Sequence, residues 1–174
     1  ARISIEKGTL VMLEALENIT EHMVLDIYGP VHDIKYWKRC KKVIETLPKH
    51  ICVTYKGPIQ GSHVPNLLNN YDFFVLLSEG ENFGHAIIEA LSAGCPVLIS
   101  KNTPWKDLKR KQIGWDIETS EKETITRAFE NCMVMSENNY KQWSLKAREF
   151  ADSVKTNSQI ISQSKSLLLN HVNQ

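Results

Sequence analysis

No apolar run in this 174-residue chain approaches the roughly 20 residues of a membrane span, and nothing at its amino end reads as a secretory signal. Neither sign of charge dominates. Lys and Arg number 21 against 20 Asp and Glu, for a formal net charge of +1. A main partner such as nucleic acid or an anionic membrane would require a clear basic excess. The four cysteines, Cys40, Cys52, Cys95 and Cys132, lack any Cys-x-x-Cys spacing. They read as free thiols in a reducing compartment, and a cytoplasmic protein is expected. His63 and His171 have no partners at metal-ligand spacing, so no metal site is expected. No Gly-x-Gly-x-x-Gly follows a strand-like run, which removes the signature of a nicotinamide dinucleotide domain. Repeats, low-complexity tracts and linkers are also missing, and the length suits one domain, residues 1–174.

What the chain does contain is a regular alternation of helical and strand-like patterns. A helical stripe over Thr9–Ile19 precedes a β-type run, Met23–Tyr28, closed by Gly29-Pro30. Asp33 is placed to cap a helix reaching about Leu47, and the next strand is expected at Ile51–Tyr55. A short helix near Val64–Asn69 leads to a strand over Asp72–Leu77. Beyond it come a helix after Asn82, a strand at Pro96–Ile99, a brief helical stretch near Pro104–Arg110 and a strand at Ile113–Ile117. Ser120 with Glu123 reads as a capping box opening a helix to about Met135. Two further helices, about 138–151 and 156–171, end the chain. Alternating β and α predicts an α/β, doubly wound parallel sheet, Rossmann-like and covered on both faces. Gly8–Ile19 is a helix with no strand before it, whereas the first strand of such a sheet is usually central; the chain reads as a fragment cut near a domain boundary.

The residues with most chemistry lie between Ser78 and Ser100. Glu81 and Glu89 flank an Asn82-Phe83-Gly84 turn that opens a helix. Free N–H groups and the positive end of the helix dipole favour an anion there. Asn82 is a good N-cap type, and Gly84 lets backbone approach a ligand without a Cβ in the way. A pyrophosphate needs more positive charge than a helix end supplies. Arg2 and Lys7, at the mouth of another strand-to-helix turn, are the candidates, since such turns gather at the carboxyl edge of a parallel sheet. Glu89 could accept two hydrogen bonds from adjacent ribose hydroxyls, and Glu81 would face whatever projects beyond the phosphates. His85 is more simply a surface or capping residue. Trp37, Trp105, Trp115 and Trp143 are too scattered in sequence to form a stacking platform.

Taken together these residues resemble the C-terminal, donor-binding half of a family 4 retaining glycosyltransferase (glycosyl transferases group 1) of the two-domain B-type fold. That family's Glu-x7-Glu signature is matched by Glu81, Phe83, Gly84, Glu89, Ala90, Gly94, Pro96 and Val97. Arg2-Ile-Ser-Ile-Glu-Lys7-Gly8 resembles its Gly-Arg-x4-Lys-Gly, with Ala1 where glycine is usual. Gly29 and Gly57 match its nucleotide loops, and Thr103-Pro104-Trp105-x-Asp107-Leu108 resembles a downstream loop of one bacterial branch. Asn82 departs from the glycine that many members carry.

The resemblance implies transfer of a hexosyl group from a nucleotide-diphosphate sugar, such as a UDP- or GDP-sugar, to an acceptor hydroxyl with retention. Surface polysaccharide or glycolipid synthesis is the implied setting, with possible peripheral membrane association of the full-length enzyme at the cytoplasmic face. It implies Arg2 and Lys7 on the diphosphate, Glu81 at the sugar and Glu89 on the ribose. Asn82, Phe83, Gly84 and His85 would serve the donor phosphates or sugar, and Gly29, Lys56, Gly57, Pro58 and Ile59 the nucleotide. No cofactor and no metal are implied. The N-terminal acceptor domain would be absent, so the isolated domain would bind nucleotide without turnover, and Leu167, Leu168 and Leu169 could be partly exposed. An epimerase of the same fold, or a non-catalytic nucleotide-binding module, is the rival reading.

Overall fold

Runs rich in β-branched and aromatic residues form the strands. β1 (Met23–Tyr28) and β2 (Ile51–Gly57) pair in parallel. β3 (Phe74–Leu76), β4 (Val97–Ser100) and β5 (Gly114–Ile117) form a second parallel sheet in that order. The computed structural model describes the backbone of residues 1–172, and side chains as far as residue 156.

Helices cover both faces. On one face α1 (Thr9–Ala15), α2 (Ile34–Thr46) and α6 (Lys122–Met133) bury Leu10, Leu13, Cys40, Ile125 and Phe129 against Leu98 and Trp115. On the other, α3 (Val64–Leu68), α4 (His85–Ser92) and α7 (Glu137–Val172) bury Leu68, Ile87, Leu91 and Ala147 against Val97 and Ile99. The neighbours Val97, Leu98 and Ile99 alternate between the two cores, as period-two side chains of a central strand must. This is the expected doubly wound α/β architecture, with one difference. The five strands fall into two sheets, because no ladder joins β1 to β3 among the described residues.

Local chemistry accounts for most of the boundaries. The Asp33 carboxylate accepts from Lys35 N at 2.8 Å and Tyr36 N at 3.0 Å, capping α2. The Asp116 carboxylate accepts from Asp107 N and Leu108 N, and so holds the start of the short α5 (Leu108–Lys111) while Asp107 sits at φ 59°. Three expectations are corrected. Asn82 is not a helix cap, because Gly84 in the left-handed region begins α4. The Ser120 capping box does not form, because Glu121 is the last extended residue and puts Ser120 one position too early. The two last helices are one, since no Gly or Pro interrupts the chain between Ala151 and Thr156. The expected exposure of Leu167, Leu168 and Leu169 lies outside the described side chains.

Two outcomes follow. Gly114 has φ 150°, and a Cβ there would lie 2.1 Å from the Val97 carbonyl oxygen. Gly114→Ala should therefore cost ~2–4 kcal/mol in denaturant unfolding by forcing β4 and β5 apart. Burial pushes the thiol of Cys40 up to about 11 and those of Cys95 and Cys132 up to about 12, whereas Cys52 is exposed. At neutral pH a thiol reagent should modify Cys52 alone in the native protein and all four cysteines after denaturation.

Candidate functional site

Parallel strands end along one edge, and the chain crosses that edge before it builds its first helix. Ile3 N donates to Pro30 O at 2.9 Å, and His32 N donates to Ile3 O at 3.1 Å. Three residues on, Glu79 N donates to Glu6 O at 2.9 Å. The segment is thus tied to the end of β1 on one side and to the end of β3 on the other. A 3-10 turn, Ile5–Lys7, then leads to Gly8 at φ 67°. A Cβ on Gly8 would lie 2.1 Å from the Leu77 carbonyl oxygen, so only glycine passes here.

That close pass sets Lys7 Nζ 2.6 Å from Glu81 Oε1, with the two side chains only 18% and 13% exposed. Arg2, by contrast, is half exposed and 3.9 Å from Glu6. Across the edge stands the amino end of α4. The first bonds inside that helix run from Ile87 N and Ile88 N to Gly84 O, so the N–H groups of His85 and Ala86 have no helical acceptor. The loop before it is pinned from outside. Trp105 Nε1 donates to Phe83 O at 2.6 Å, and Glu81 N donates to Asn102 O at 3.3 Å. The Trp105 ring meets Phe83 edge-on at 5.3 Å, while His85 lies 4.9 Å from Phe83.

A cavity of about 410 Å³ opens between the two sheets, with Arg2, Lys7, Gly29, Ile59, Ala86 and Glu89 in its wall. The structure therefore brings together Arg2, Lys7, Gly29, Ile59 and Glu89, and joins Glu81 to them through Lys7. Gly57 accepts from Gly29 N at 2.9 Å, and Lys56 Nζ lies 3.6 Å from Asp26 Oδ2. Asn82, Phe83, Gly84, His85 and Pro58 are not part of the wall. Phe83 is 38% exposed and His85 packs against it.

Two features escaped the sequence reading. Trp105 anchors the motif loop, although its sequence neighbourhood alone does not show which carbonyl it reaches. Tyr71 Oη donates to Asp26 Oδ2 at 2.6 Å and lies 2.9 Å from Tyr28 Oη. Burial, with the Asp26 carboxylate next in weight, holds the Tyr71 phenol protonated well above its usual range. A lone aspartate in an apolar strand was the available signal. Among the described residues no group of three His, Cys, Asp or Glu could hold a metal ion. No helix among them is long and apolar enough to cross a membrane.

Fold and edge together define a Rossmann-like α/β domain of the kind that builds two-domain B-type glycosyltransferases. The model of the Glycosyl transferases group 1 family matches residues 1–150, and the chain belongs to that family. A sulfoquinovosyl transferase of Arabidopsis thaliana is 27% identical over 100 residues, covering 58% of this chain and 18% of the relative. The Anabaena protein HepE, solved with UDP and glucose, superposes with a TM-score of 0.76 at 20% identity, over 95% of this chain and 47% of that one. The C-terminal domain of the group 1 glycosyl transferase LpcC from Francisella tularensis gives 0.73 at 21% identity, over 87% and 81%. The chain thus spans about half of the HepE chain and less of the Arabidopsis relative.

The Lys7–Glu81 pair can be tested without any ligand. Lys7→Met leaves a largely buried carboxylate without its cation, and should cost about 2–3 kcal/mol in denaturant unfolding. Lys7→Met with Glu81→Gln should recover most of that loss, because no uncompensated charge remains.

Proposed function

We infer that this chain is the donor-binding domain of a retaining glycosyltransferase, with a nucleotide-diphosphate sugar as its substrate. The observation that carries this reading is the presence of Arg2, Lys7 and Glu89 in the wall of one cavity, together with Ala86 from the first turn of α4. Two cations and a helix end suit a diphosphate, whose negative charge each of them attracts. Glu89, partly buried one helical turn further in, is placed to accept from the two hydroxyls of a ribose. Gly29 and Ile59 line the side on which a base would lie.

In this reading Arg2 and Lys7 stabilise the charge that develops on the departing nucleoside diphosphate, and this electrostatic term carries the rate enhancement. Glu81 orients the donor sugar through its hydroxyls. The N–H groups of His85 and Ala86 hold donor oxygens, and Phe83 and Trp105 keep that loop rigid, so little ordering is left to do on binding. Donor sugar and acceptor meet in a cleft completed by a second domain, whose closure excludes water. A hexosyl donor, transfer to a surface polysaccharide or glycolipid, and a cytoplasmic location complete the proposal. The UDP and glucose bound by HepE support the donor class.

Calorimetric titration with UDP, GDP and ADP tests the reading. One diphosphate should bind, and Glu89→Ala should weaken it by ~1.5–3 kcal/mol, roughly ten- to a hundredfold. Glu81→Gln gives the more pointed result. It releases Lys7 from its ion pair, so the diphosphate should bind more tightly to this variant while Lys7→Met binds more weakly. Absence of binding by all three diphosphates at millimolar concentration would overturn the proposal.

A further inference from the structure

The near-neutral total of the chain hides an uneven distribution. α2 carries Lys35, Lys38, Arg39, Lys41 and Lys42 over about two turns, against the single carboxylate of Glu45. The helix therefore stands at +4 and, with +1 for the whole chain, the remaining residues at −3. The other long helices are mixed. α6 sets Lys122 and Arg127 against Glu123 and Glu130, and α7 opens with a Glu137–Lys141 ion pair at 2.6 Å.

All five cations of α2 are exposed, and with Ile34 and Glu45 they make up most of its outer surface. The inner face is committed to the core, where Tyr36 and Cys40 are buried and Val43 and Ile44 pack beside them. None of the five side chains comes within ion-pair distance of a carboxylate among the described residues. Glu45 on the helix itself and Glu14 on the neighbouring α1 pair with none of them. Like charges three and four positions apart repel one another, so this stripe costs the fold stability rather than adding to it.

The basic segment around α5 behaves differently. Arg110 pairs with Asp107, Lys106 and Lys111 donate to the carbonyls of Lys101 and Lys106, and Lys111 sits over the Phe150 ring. Those cations serve local structure, whereas the five on α2 do not.

The chemistry of the stripe limits what it can receive. It extends along a helix ~20 Å long, and none of the five residues lines the cavity of the candidate site. Four of the five are lysines. A shaped phosphate pocket favours the fork of arginine, whereas lysine, a point charge on a flexible stem, suits a diffuse anionic surface. Ile34, 69% exposed at the start of the helix, adds an apolar side chain of the kind that enters the headgroup boundary. Binding of single-stranded nucleic acid would call for aromatic rings free among the cations. Here Tyr36 is buried and Trp37 is engaged with Tyr55, their ring centroids 4.9 Å apart.

We propose that the outer face of α2 is a docking surface for an anionic lipid bilayer, held there by Lys35, Lys38, Arg39, Lys41 and Lys42. Attraction to the surface potential holds it, since the apolar face of the helix is already used in the core. Each basic residue close to such a surface is worth about fivefold in partition, so five give reversible attachment. α2 starts at the end of β1 under the Asp33 cap, and the docked surface therefore lies beside the edge that holds the candidate site. The proposal does not rest on the donor reading, because it uses none of the residues of the cavity wall.

The test mixes the protein at low salt with vesicles of phosphatidylcholine containing one third phosphatidylglycerol, and with vesicles of phosphatidylcholine alone. Sedimentation reads the bound fraction. The anionic vesicles should retain the protein and the neutral ones should not. Salt at about 0.5 M, where the screening length is a few ångströms, should release it. Lys38→Gln with Lys42→Gln should lower the partition coefficient by about tenfold or more, and Lys38→Arg with Lys42→Arg should leave it within about twofold. Lys109→Gln with Arg110→Gln removes the same charge from α5 and should also leave it within about twofold. Absence of binding to the anionic vesicles at low salt would overturn the proposal. So would equal weakening by the α5 variant, which marks net charge rather than a face. Tighter binding to duplex DNA than to the vesicles, lost through the same two lysines, would overturn it in favour of a nucleic acid.

Discussion

The carbonyl oxygen of Leu77 stands where any side chain at position 8 would begin, and much of the molecule is arranged around that pass. Gly8 ends one turn and begins α1, so the same residue sets the path of the edge-crossing segment and the start of the helix behind it. Because the segment lies so close to the end of β3, Glu6 can accept from Glu79 and Lys7 can reach Glu81. Because it lies equally close to the end of β1, Ile3 can pair with Val31. Two half-sheets that share no ladder among the described residues are therefore tied together at this edge, as they also are by the Tyr71–Asp26 hydrogen bond and by a shared core. The position of the charges at the site is a consequence of that backbone constraint.

The Lys7–Glu81 pair shows how such a site can hold opposite charges without a ligand. At 2.6 Å and with little exposure, each group would be expensive to leave alone. The pair keeps the cation in place and protected, and a bound phosphate would have to compete with the carboxylate for it. In the proposed donor site, only a ligand carrying enough negative charge in the right place would displace that carboxylate. Arg2, half exposed and 3.9 Å from the Glu6 carboxylate, is held less closely than Lys7.

Most of the fold was legible because the local signals agreed with one another. The β1 run was bounded correctly by its apolar residues and by Gly29-Pro30, and Asp33 announced α2 by the cap it provides. The misreadings share one cause. Asn82, Ser120 and the supposed break near residue 155 were judged from residue type alone, whereas helix ends depend on φ and ψ of particular positions. At the site, the Glu-x7-Glu spacing located Glu81 and Glu89, and their gathering with Arg2 and Lys7 followed from parallel topology. Trp105 was matched to a family loop but given no role, because its partner, the Phe83 carbonyl, is 22 residues away and is a backbone group with no signature. Asp26 and Tyr71 were passed over for the same reason, being 45 residues apart.

Trp105 also explains how the motif loop can be exposed and yet rigid. Phe83 is 38% exposed, and a short loop with glycine at its end would ordinarily sample many conformations. Its carbonyl is held by the indole N–H, its ring is flanked by Trp105 and His85, and the Glu81 amide is held by Asn102. Trp105 is in turn packed edge-on against Phe150 of α7 at 5.9 Å. α7 also packs on α4 through Ala147 and Ala151, so the helix that presents the free N–H groups and the loop that precedes it rest on one support. Trp105 and the amino end of α4 thus share one packing partner, α7.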